Sequence, residues 1–153
     1  MAKKTPPKMR VAIIGAGKVG ASLARALKKI RWPVTLYSAR KFELKKALNC
    51  DLLILAVRDR DLAPLAKKIA ESGRLSKSAA CVHVAGALSA DVLAPLRDVC
   101  AGVAQMHPMI SFASKTKPPR LANGHVHVKG DNVAEARAKK MARAIGMTPR
   151  TFE

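Results

Sequence analysis

The amino-acid sequence predicts an α/β protein with a doubly wound, mostly parallel β-sheet. From Val11 to the end of the 153-residue chain, short β-branched and aliphatic runs alternate with amphipathic helical segments, which is the pattern of successive β–α–β units. The run at 51–57 is almost continuously apolar, as expected of a strand that helices cover on both faces. Because the alternation continues to the end, we expect one domain at 9–153 behind a flexible basic tail at 1–8.

Composition excludes several classes of protein. Hydrophobic residues make up 49% of the chain and aromatic residues 3%, so we expect an aliphatic core. No apolar run approaches the roughly 18 residues of a membrane span. The apolar run after the basic start contains a glycine turn and ends at Lys18, which argues against a secretion signal. Cys50, Cys81 and Cys100 lack C-x-x-C spacing, which favours reduced thiols in a cytoplasmic protein.

The first predicted strand and helix enclose a glycine-rich turn. Gly15, Gly17 and Gly20 have the spacing G-x-G-x-x-G between the strand Val11–Ile14 and a helix that runs to about Arg31. In this context the first glycine allows a tight turn, the second leaves room for a pyrophosphate, and the third lets helix and strand pack closely. The free N–H groups and dipole of the helix start favour phosphate. The residues predicted to contact a dinucleotide here are Gly15, Ala16, Gly17, Lys18, Val19 and Gly20.

The end of the second predicted strand, Val34–Tyr37, indicates which nicotinamide cofactor fits. An NAD-preferring site places Asp or Glu about 20 residues beyond the glycines, where it binds the ribose hydroxyls. This chain has Ser38-Ala-Arg-Lys41 there and no carboxylate. Ser38 and Arg40 could bind a 2′-phosphate, and Lys41 adds charge, so we expect NADP. The alternative is that Arg40 and Lys41 only begin a solvated helix at 41–48.

The third strand leads into a second cluster of predicted contacts. Val57 and Arg58 follow at its carboxyl end, which is the ligand side of an open α/β sheet, so both are predicted to contact the cofactor. Asp59 or Asp61 is predicted to cap a helix at 62–72.

The rest of the chain continues the alternation of strands and helices. A fourth strand is predicted at 79–85, and it closes on Gly86, a further predicted cofactor contact. The later predictions are a helix at about 89–97, a strand at 103–106, a loop at 115–119, a strand at 126–128, a helix at 132–145 and a last strand at 148–152.

Three stretches together resemble a known family. They are residues 11–20, residues 81–96, and Gln105-Met-His-Pro-Met-Ile-Ser-Phe112. They are similar to the N-terminal half of DUF2520-containing Rossmann-like oxidoreductases, a family similar to pyrroline-5-carboxylate reductase, prephenate dehydrogenase and ketopantoate reductase. The resemblance covers about residues 10–152 and implies a Rossmann-type NAD(P)-binding domain. The family often has Ser-Gly where this chain has Ala85-Gly86, so one polar contact is expected to be missing.

The resemblance also implies a further domain. In the family, a C-terminal helical domain usually forms a homodimer and completes the substrate site. The sequence ends at Glu153, where that domain would begin. We therefore expect either the cofactor half of a longer protein or a stand-alone binding domain.

His107 is the candidate catalytic acid or base. It ends a predicted strand on the ligand side, beside Pro108, and imidazole titrates near neutral pH. The alternative is a hydrogen-bonded structural histidine. Ser111 and Lys115 are weaker candidates for binding an anionic group of the substrate.

No metal site is predicted from the remaining histidines. His125 and His127 share one face of a predicted strand, but no Cys or carboxylate lies close by to complete a ligand set. His83 falls within a buried strand and is expected to be structural.

These features predict an NADP(H)-binding domain of an oxidoreductase acting by hydride transfer on a small carbonyl, imine or hydroxy-acid substrate. One alternative is a non-catalytic NADP-binding module that senses redox state or recruits a partner. The other is a nucleic-acid-binding protein, suggested by the net charge of +19. Its dispersed bases and few aromatic residues make nucleic acid the weaker expectation.

Overall fold

Seven strands and four helices form the part of the chain that a computed structural model describes, residues 8–112 and 120–151. The strands are β1 (Val11–Ile14), β2 (Val34–Tyr37), β3 (Leu52–Leu55), β4 (Ala80–His83), β5 (Gly102–Pro108), β6 (His125–Gly130) and β7 (Thr148–Arg150). The α-helices are α1 (Lys18–Lys29), α2 (Asp59–Ser72) and α3 (Asn132–Ala144), and a 3₁₀ helix spans Ala90–Leu96. None of these helices has the length and apolar character needed to cross a membrane.

The strand order confirms the predicted mostly parallel, doubly wound sheet. The order is β2-β1-β3-β4-β5-β6-β7. The first five strands of the chain pair in parallel, β6 runs antiparallel to β5, and β7 is parallel to β6. After β2 the chain returns past β1 to form β3 on its other side, so the strand order reverses at β1. Open α/β sheets bind ligands at the carboxyl ends of the strands on either side of such a reversal.

Two layers of helices bury the two faces of the sheet. Helices α1 and α3 cover one face through aliphatic side chains, namely Leu23, Leu27, Ala138 and Met141. Helix α2 and the 3₁₀ helix cover the other face through Leu62, Ile69, Leu93 and Leu96. All four residues of β3 are fully buried, because this central strand has helices on both sides.

The alternative helix at 41–48 does not form. The buried residues Phe42 and Leu48 stand six positions apart, which would separate them by about 120° around a helix of 3.6 residues per turn, so they would not share one stripe. Instead the backbone of Leu48 donates to Arg74 O at 2.8 Å and accepts from Ser76 N at 3.1 Å. This segment therefore extends beside Leu75 as an isolated parallel bridge.

Helix α2 begins earlier than predicted. Arg58 is its N-cap residue, and its side chain makes no capping hydrogen bond. Neither Asp59 nor Asp61 is the cap. Both lie in the first turn, where the helix dipole favours carboxylates.

The helix predicted at 89–97 is a 3₁₀ helix. Ser89 caps it by accepting a hydrogen bond from Asp91 N at 3.2 Å. Pro95 lies inside the segment, and proline lacks the N–H that an α-helix would need there.

Some predicted elements lie outside the described residues. They are the tail up to residue 7, the loop at 115–119 and the end of the strand predicted at 148–152. Lys8 is described, and its Nζ donates to Arg31 O at 3.1 Å.

The carboxylate of Asp131 connects three elements of the fold, and its titration makes the free energy of unfolding depend on pH. Its carboxylate accepts from Arg97 Nε at 3.1 Å and from Val103 N at 2.9 Å, and both donors lower its pKa below 3.8. A carboxyl group whose pKa is lower in the folded state than in the unfolded state stabilises the protein at any pH above its unfolded-state pKa. This stabilisation is lost as the pH falls through the folded-state pKa. Asp131→Asn should therefore reduce the free energy of unfolding at neutral pH by about 0.2–1 kcal/mol, as for other exposed pairs.

Urea denaturation of wild type and Asp131→Asn measures this difference. It should shrink as the pH is lowered below 3.8. A difference that stays constant into acid would contradict the ionic origin of the effect.

Candidate functional site

The glycine turn joins β1 to α1, and its glycines differ in the space available for a side chain. Gly15 has φ +117°, in the region that favours glycine, and a Cβ there would collide with the carbonyl oxygen of Ala56. A Cβ on Gly20 would collide with the carbonyl oxygen of Gly15. A Cβ on Gly17 would meet nothing within 4 Å. The first and third glycines are therefore required by packing, whereas the second leaves space open above the turn.

Backbone N–H donors with no acceptor among the described residues lie beside this turn, at the start of α1. The first hydrogen bond of the helix runs from Ala21 N to Gly17 O at 2.9 Å. The N–H groups of Lys18, Val19 and Gly20 precede it, and the first turn contains no acidic residue. This helix start therefore has the donors and the positive dipole of an anion site.

A cleft of about 580 Å³ opens beside the turn, at the carboxyl ends of β1, β2 and β3. That size suits a small molecule or cofactor. Its walls include seven of the predicted contacts, namely Gly15, Ala16, Gly17, Ser38, Arg40, Val57 and Arg58. The strand order thus brings together residues that are far apart in sequence.

The other predicted contacts lie outside the walls of this cleft. Lys18, Val19 and Gly20 continue from the turn into α1. The backbone N–H of Lys41 donates to Ser38 O at 3.2 Å and closes a tight turn. Arg40 lies in the cleft wall, whereas Lys41 is exposed and does not line the cleft.

The cleft combines cationic groups with one carboxylate. The guanidinium groups of Arg40 and Arg58 are exposed and have no hydrogen-bond or ion-pair partner within 8–112 and 120–151. Ala39, Ala56 and Asp61 also line the cleft, and the sequence reasoning missed them as site residues. Asp61 was considered only as a helix cap, although its place after β3 was a signal for the ligand side.

His83 has a structural environment at the end of β4. The ring is fully buried, and burial lowers its pKa. Nδ1 accepts from Ala85 N at 3.0 Å, so Nε2 carries the proton and donates to Ser89 O at 2.9 Å. Both ring nitrogens are therefore used in holding the loop that follows β4.

His107 holds the same loop from β5 but keeps one nitrogen available. Its Nδ1 lies 3.1 Å from Val84 O, and because a carbonyl oxygen only accepts, Nδ1 carries the proton. In the neutral ring, Nε2 is then a hydrogen-bond acceptor, and no described residue donates to it.

Gly86 leaves room for the His107 ring. A Cβ on Gly86 would lie 2.7 Å from His107 Nε2. This close approach requires glycine whether or not a cofactor touches it. Gly86 lies outside the walls of the cleft described above.

The other histidines do not form a metal site in the described residues. Arg150 Nε donates to His125 Nδ1 at 2.7 Å. His127 lies opposite His107 across β5 and β6, and burial, Lys129 and His107 all lower the pKa of His127. No group of three or more potential metal ligands occurs in this part of the chain.

Ser111 is exposed, and Lys115 lies outside the described residues.

Comparison with known proteins supports this fold. Residues 36–108 match the family model of the Rossmann-like domain. A proposed NADP oxidoreductase from Bacteroides fragilis superimposes with a TM-score of 0.74 at 20% identity, covering 94% of this chain and 61% of that chain. Prephenate dehydrogenase from Aquifex aeolicus, with hydroxyphenyl propionate and NAD+, has a TM-score of 0.74 at 15% identity and covers 98% and 62%.

A third structure is pyrroline carboxylate reductase from Plasmodium falciparum with NADP bound. Its TM-score is 0.63 at 13% identity, and the alignment covers 95% of this chain and 58% of that chain. No curated protein matches the sequence. The chain spans about three fifths of the length of these solved structures. The predicted resemblance is confirmed at the level of the fold: the chain has a Rossmann-like fold, shared with these dehydrogenases and reductases.

Proposed function

We propose that this chain binds NADP(H) and is the cofactor domain of an oxidoreductase. The observation that carries the proposal is the open space at Gly17, since a Cβ there would meet nothing within 4 Å. This space opens at the start of α1 into a cleft whose two guanidinium groups have no partner among the described residues. Packing alone accounts for Gly15 and Gly20, but it gives no reason for a glycine at position 17.

The residues of the cleft fit the parts of a dinucleotide. The N–H groups of Lys18, Val19 and Gly20 would hold the pyrophosphate. Ser38 and Arg40, at the end of β2, would hold a 2′-phosphate through a hydroxyl and a guanidinium group. Val57 and Arg58 also line this cleft. An NAD-binding site has a carboxylate at the end of β2, whereas this chain has Arg40 there. We therefore propose NADP rather than NAD as the cofactor.

The proposed reaction is hydride transfer to or from a small carbonyl, imine or hydroxy-acid substrate. The nicotinamide ring would supply the hydride. His107 is the proposed acid or base, because its Nε2 lies beside Gly86 at the ligand edge of the sheet and accepts from no described residue. The relatives named above include a dehydrogenase and a reductase, which supports this class of reaction. A second, dimer-forming domain that completes the substrate site is proposed from the family resemblance alone.

Calorimetric titration tests the cofactor proposal directly. The purified chain should bind NADPH, and NADH about tenfold to a hundredfold more weakly, which corresponds to one charge-assisted contact. A short DNA duplex added at low salt should not displace NADPH. Failure to bind either dinucleotide would refute the proposal, and displacement by duplex would favour the nucleic-acid alternative.

A further inference from the structure

The loop that follows β4, residues 84–89, has its carbonyl groups held by side chains of the sheet. His107 Nδ1 donates to Val84 O, and His83 Nε2 donates to Ser89 O. Gln105 Nε2 donates to two carbonyl oxygens, Ala85 O at 2.8 Å and Gly86 O at 3.3 Å. These donors come from β4 and β5, and they fix which way the loop backbone faces.

Gln105 hydrogen-bonds to two successive carbonyl groups of the loop, so both face the same side chain. Gln105 is 8% exposed, so Ala85 O and Gly86 O both face a buried residue. In a planar trans peptide, C=O and N–H point in opposite directions. The N–H groups of Gly86 and Ala87 belong to the same two peptide units, so both point away from Gln105.

These two N–H groups belong to exposed residues and have no acceptor within the described part of the chain. Gly86 and Ala87 are exposed, and neither N–H donates to any group in residues 8–112 and 120–151. Two adjacent N–H groups that face the same way can both donate to one anion or polarised oxygen. This donor pair lies at the carboxyl end of β4, the same edge of the sheet as the glycine turn.

We propose that Gly86 N–H and Ala87 N–H together bind an oxygen atom of the reacting groups, and that Gln105 is the residue that positions them. The inference rests on the proposed cofactor function. The oxygen could belong to the nicotinamide carboxamide or to the carbonyl or carboxylate of the substrate. Both have the same acceptor chemistry, and the His107 ring lies against Gly86 on one side of this donor pair.

Amide chemical shifts of the ¹⁵N-labelled chain test the donor pair. Three ligands are compared: NADP+, 2′-phospho-ADP-ribose, which lacks the nicotinamide, and pyruvate added to the NADP+ complex. Downfield shifts of the Gly86 and Ala87 amide protons with NADP+ alone would assign the carboxamide oxygen. Shifts that appear only when pyruvate is added would assign the substrate oxygen.

The controls separate this inference from the cofactor proposal. If Lys18, Val19 and Gly20 respond to NADP+ but Gly86 and Ala87 stay unchanged in every titration, the donor pair is refuted and the cofactor proposal stands. If no amide responds to any ligand, both are refuted.

A variant of Gln105 tests its positioning role. Gln105→Leu removes the two hydrogen bonds that Gln105 donates to the loop, so the ligand that shifts Gly86 and Ala87 should bind about threefold to tenfold more weakly. Binding of 2′-phospho-ADP-ribose should not change, since it does not reach this loop. Lys129→Gln is the matched control, because Lys129 lies opposite Gln105 on β6 and is exposed, and it should leave every affinity unchanged.

Two outcomes of this variant would overturn the positioning role. One is full affinity in folded Gln105→Leu, and the other is an equal loss for 2′-phospho-ADP-ribose. If Gln105→Leu does not fold, the wild-type shift measurement decides the proposal by itself.

Discussion

Gly17→Val should abolish dinucleotide binding while the protein stays folded. The backbone of Gly17 has φ −75° and ψ −161°, a conformation that any residue adopts, and a Cβ there meets no protein atom within 4 Å. The valine methyl groups would instead occupy the space proposed for the pyrophosphate. We expect the affinity for NADPH to fall at least a hundredfold, about 2.7 kcal/mol or more, with little change in thermal unfolding.

Three further variants make the Gly17 result specific. Ala136→Val places the same side chain on the exposed face of α3, and it should leave both binding and folding intact. Gly15→Val and Gly20→Val should unfold the protein, because their side chains would collide with backbone carbonyl groups. Calorimetry and circular dichroism measure the two properties separately. Full NADPH affinity in folded Gly17→Val would contradict the proposed pyrophosphate position.

Arg40→Ala should weaken NADPH binding about tenfold to a hundredfold and NADH binding much less. Arg40 lines the cleft at the end of β2, and its guanidinium group has no partner in the described residues. A charge-assisted contact with the 2′-phosphate would contribute about 1.5–3 kcal/mol. Ser38→Asp should go further and favour NADH, because a carboxylate accepts from ribose hydroxyls and repels phosphate.

Paired titrations at two salt concentrations measure this preference. Higher salt should reduce NADPH affinity more steeply than NADH affinity, because the extra phosphate is present only in NADPH. Arg60→Ala is the matched control, since Arg60 is exposed on α2 but does not line the cleft. An equal loss for both cofactors in Arg40→Ala, or a wild-type preference for NADH, would show that Arg40 does not bind a 2′-phosphate.

Asp61 provides an internal check on the same cleft. Asp61 lines the same cleft as Arg40, and a carboxylate there would repel a phosphate group. Asp61→Asn should therefore raise NADPH affinity about twofold, the modest effect expected of an exposed charge. A large loss of NADH affinity in Asp61→Asn would instead make this carboxylate the ribose contact that the end of β2 lacks.

Local patterns were sufficient to predict most elements of the fold. The apolar runs at β1 and β3 and the glycines between β1 and α1 depend on residues close together in sequence, which is why their positions agree with the structure. The segment 41–48 was ambiguous for the opposite reason. Its backbone pairs with residues 74–76, a contact that no local pattern encodes.

The candidate site was predictable only in part. The sheet order, which pattern alone does not give, brings Ser38 and Arg58 to one cleft and adds Asp61 to it. Gly86 was predicted as a cofactor contact, but the structure shows that the His107 ring, on the next strand along the chain, leaves no room for a side chain at this position. Gln105 gave no signal, because a single amide in a strand does not reveal which loop it will hold.

The direct test of the central claim is to map NADPH onto the ¹⁵N-labelled chain by amide chemical shifts. The proposed site predicts that the responses centre on Gly17, Lys18, Val19 and Gly20 at the start of α1, with Ser38 and Arg40 at the end of β2. A separate groove of about 550 Å³ lies between α1 and the end of α3, with Arg25, Lys29 and Arg120 in its walls. Responses confined to that groove, with the glycine turn unchanged, would show charge-driven binding and contradict a dinucleotide site at the turn.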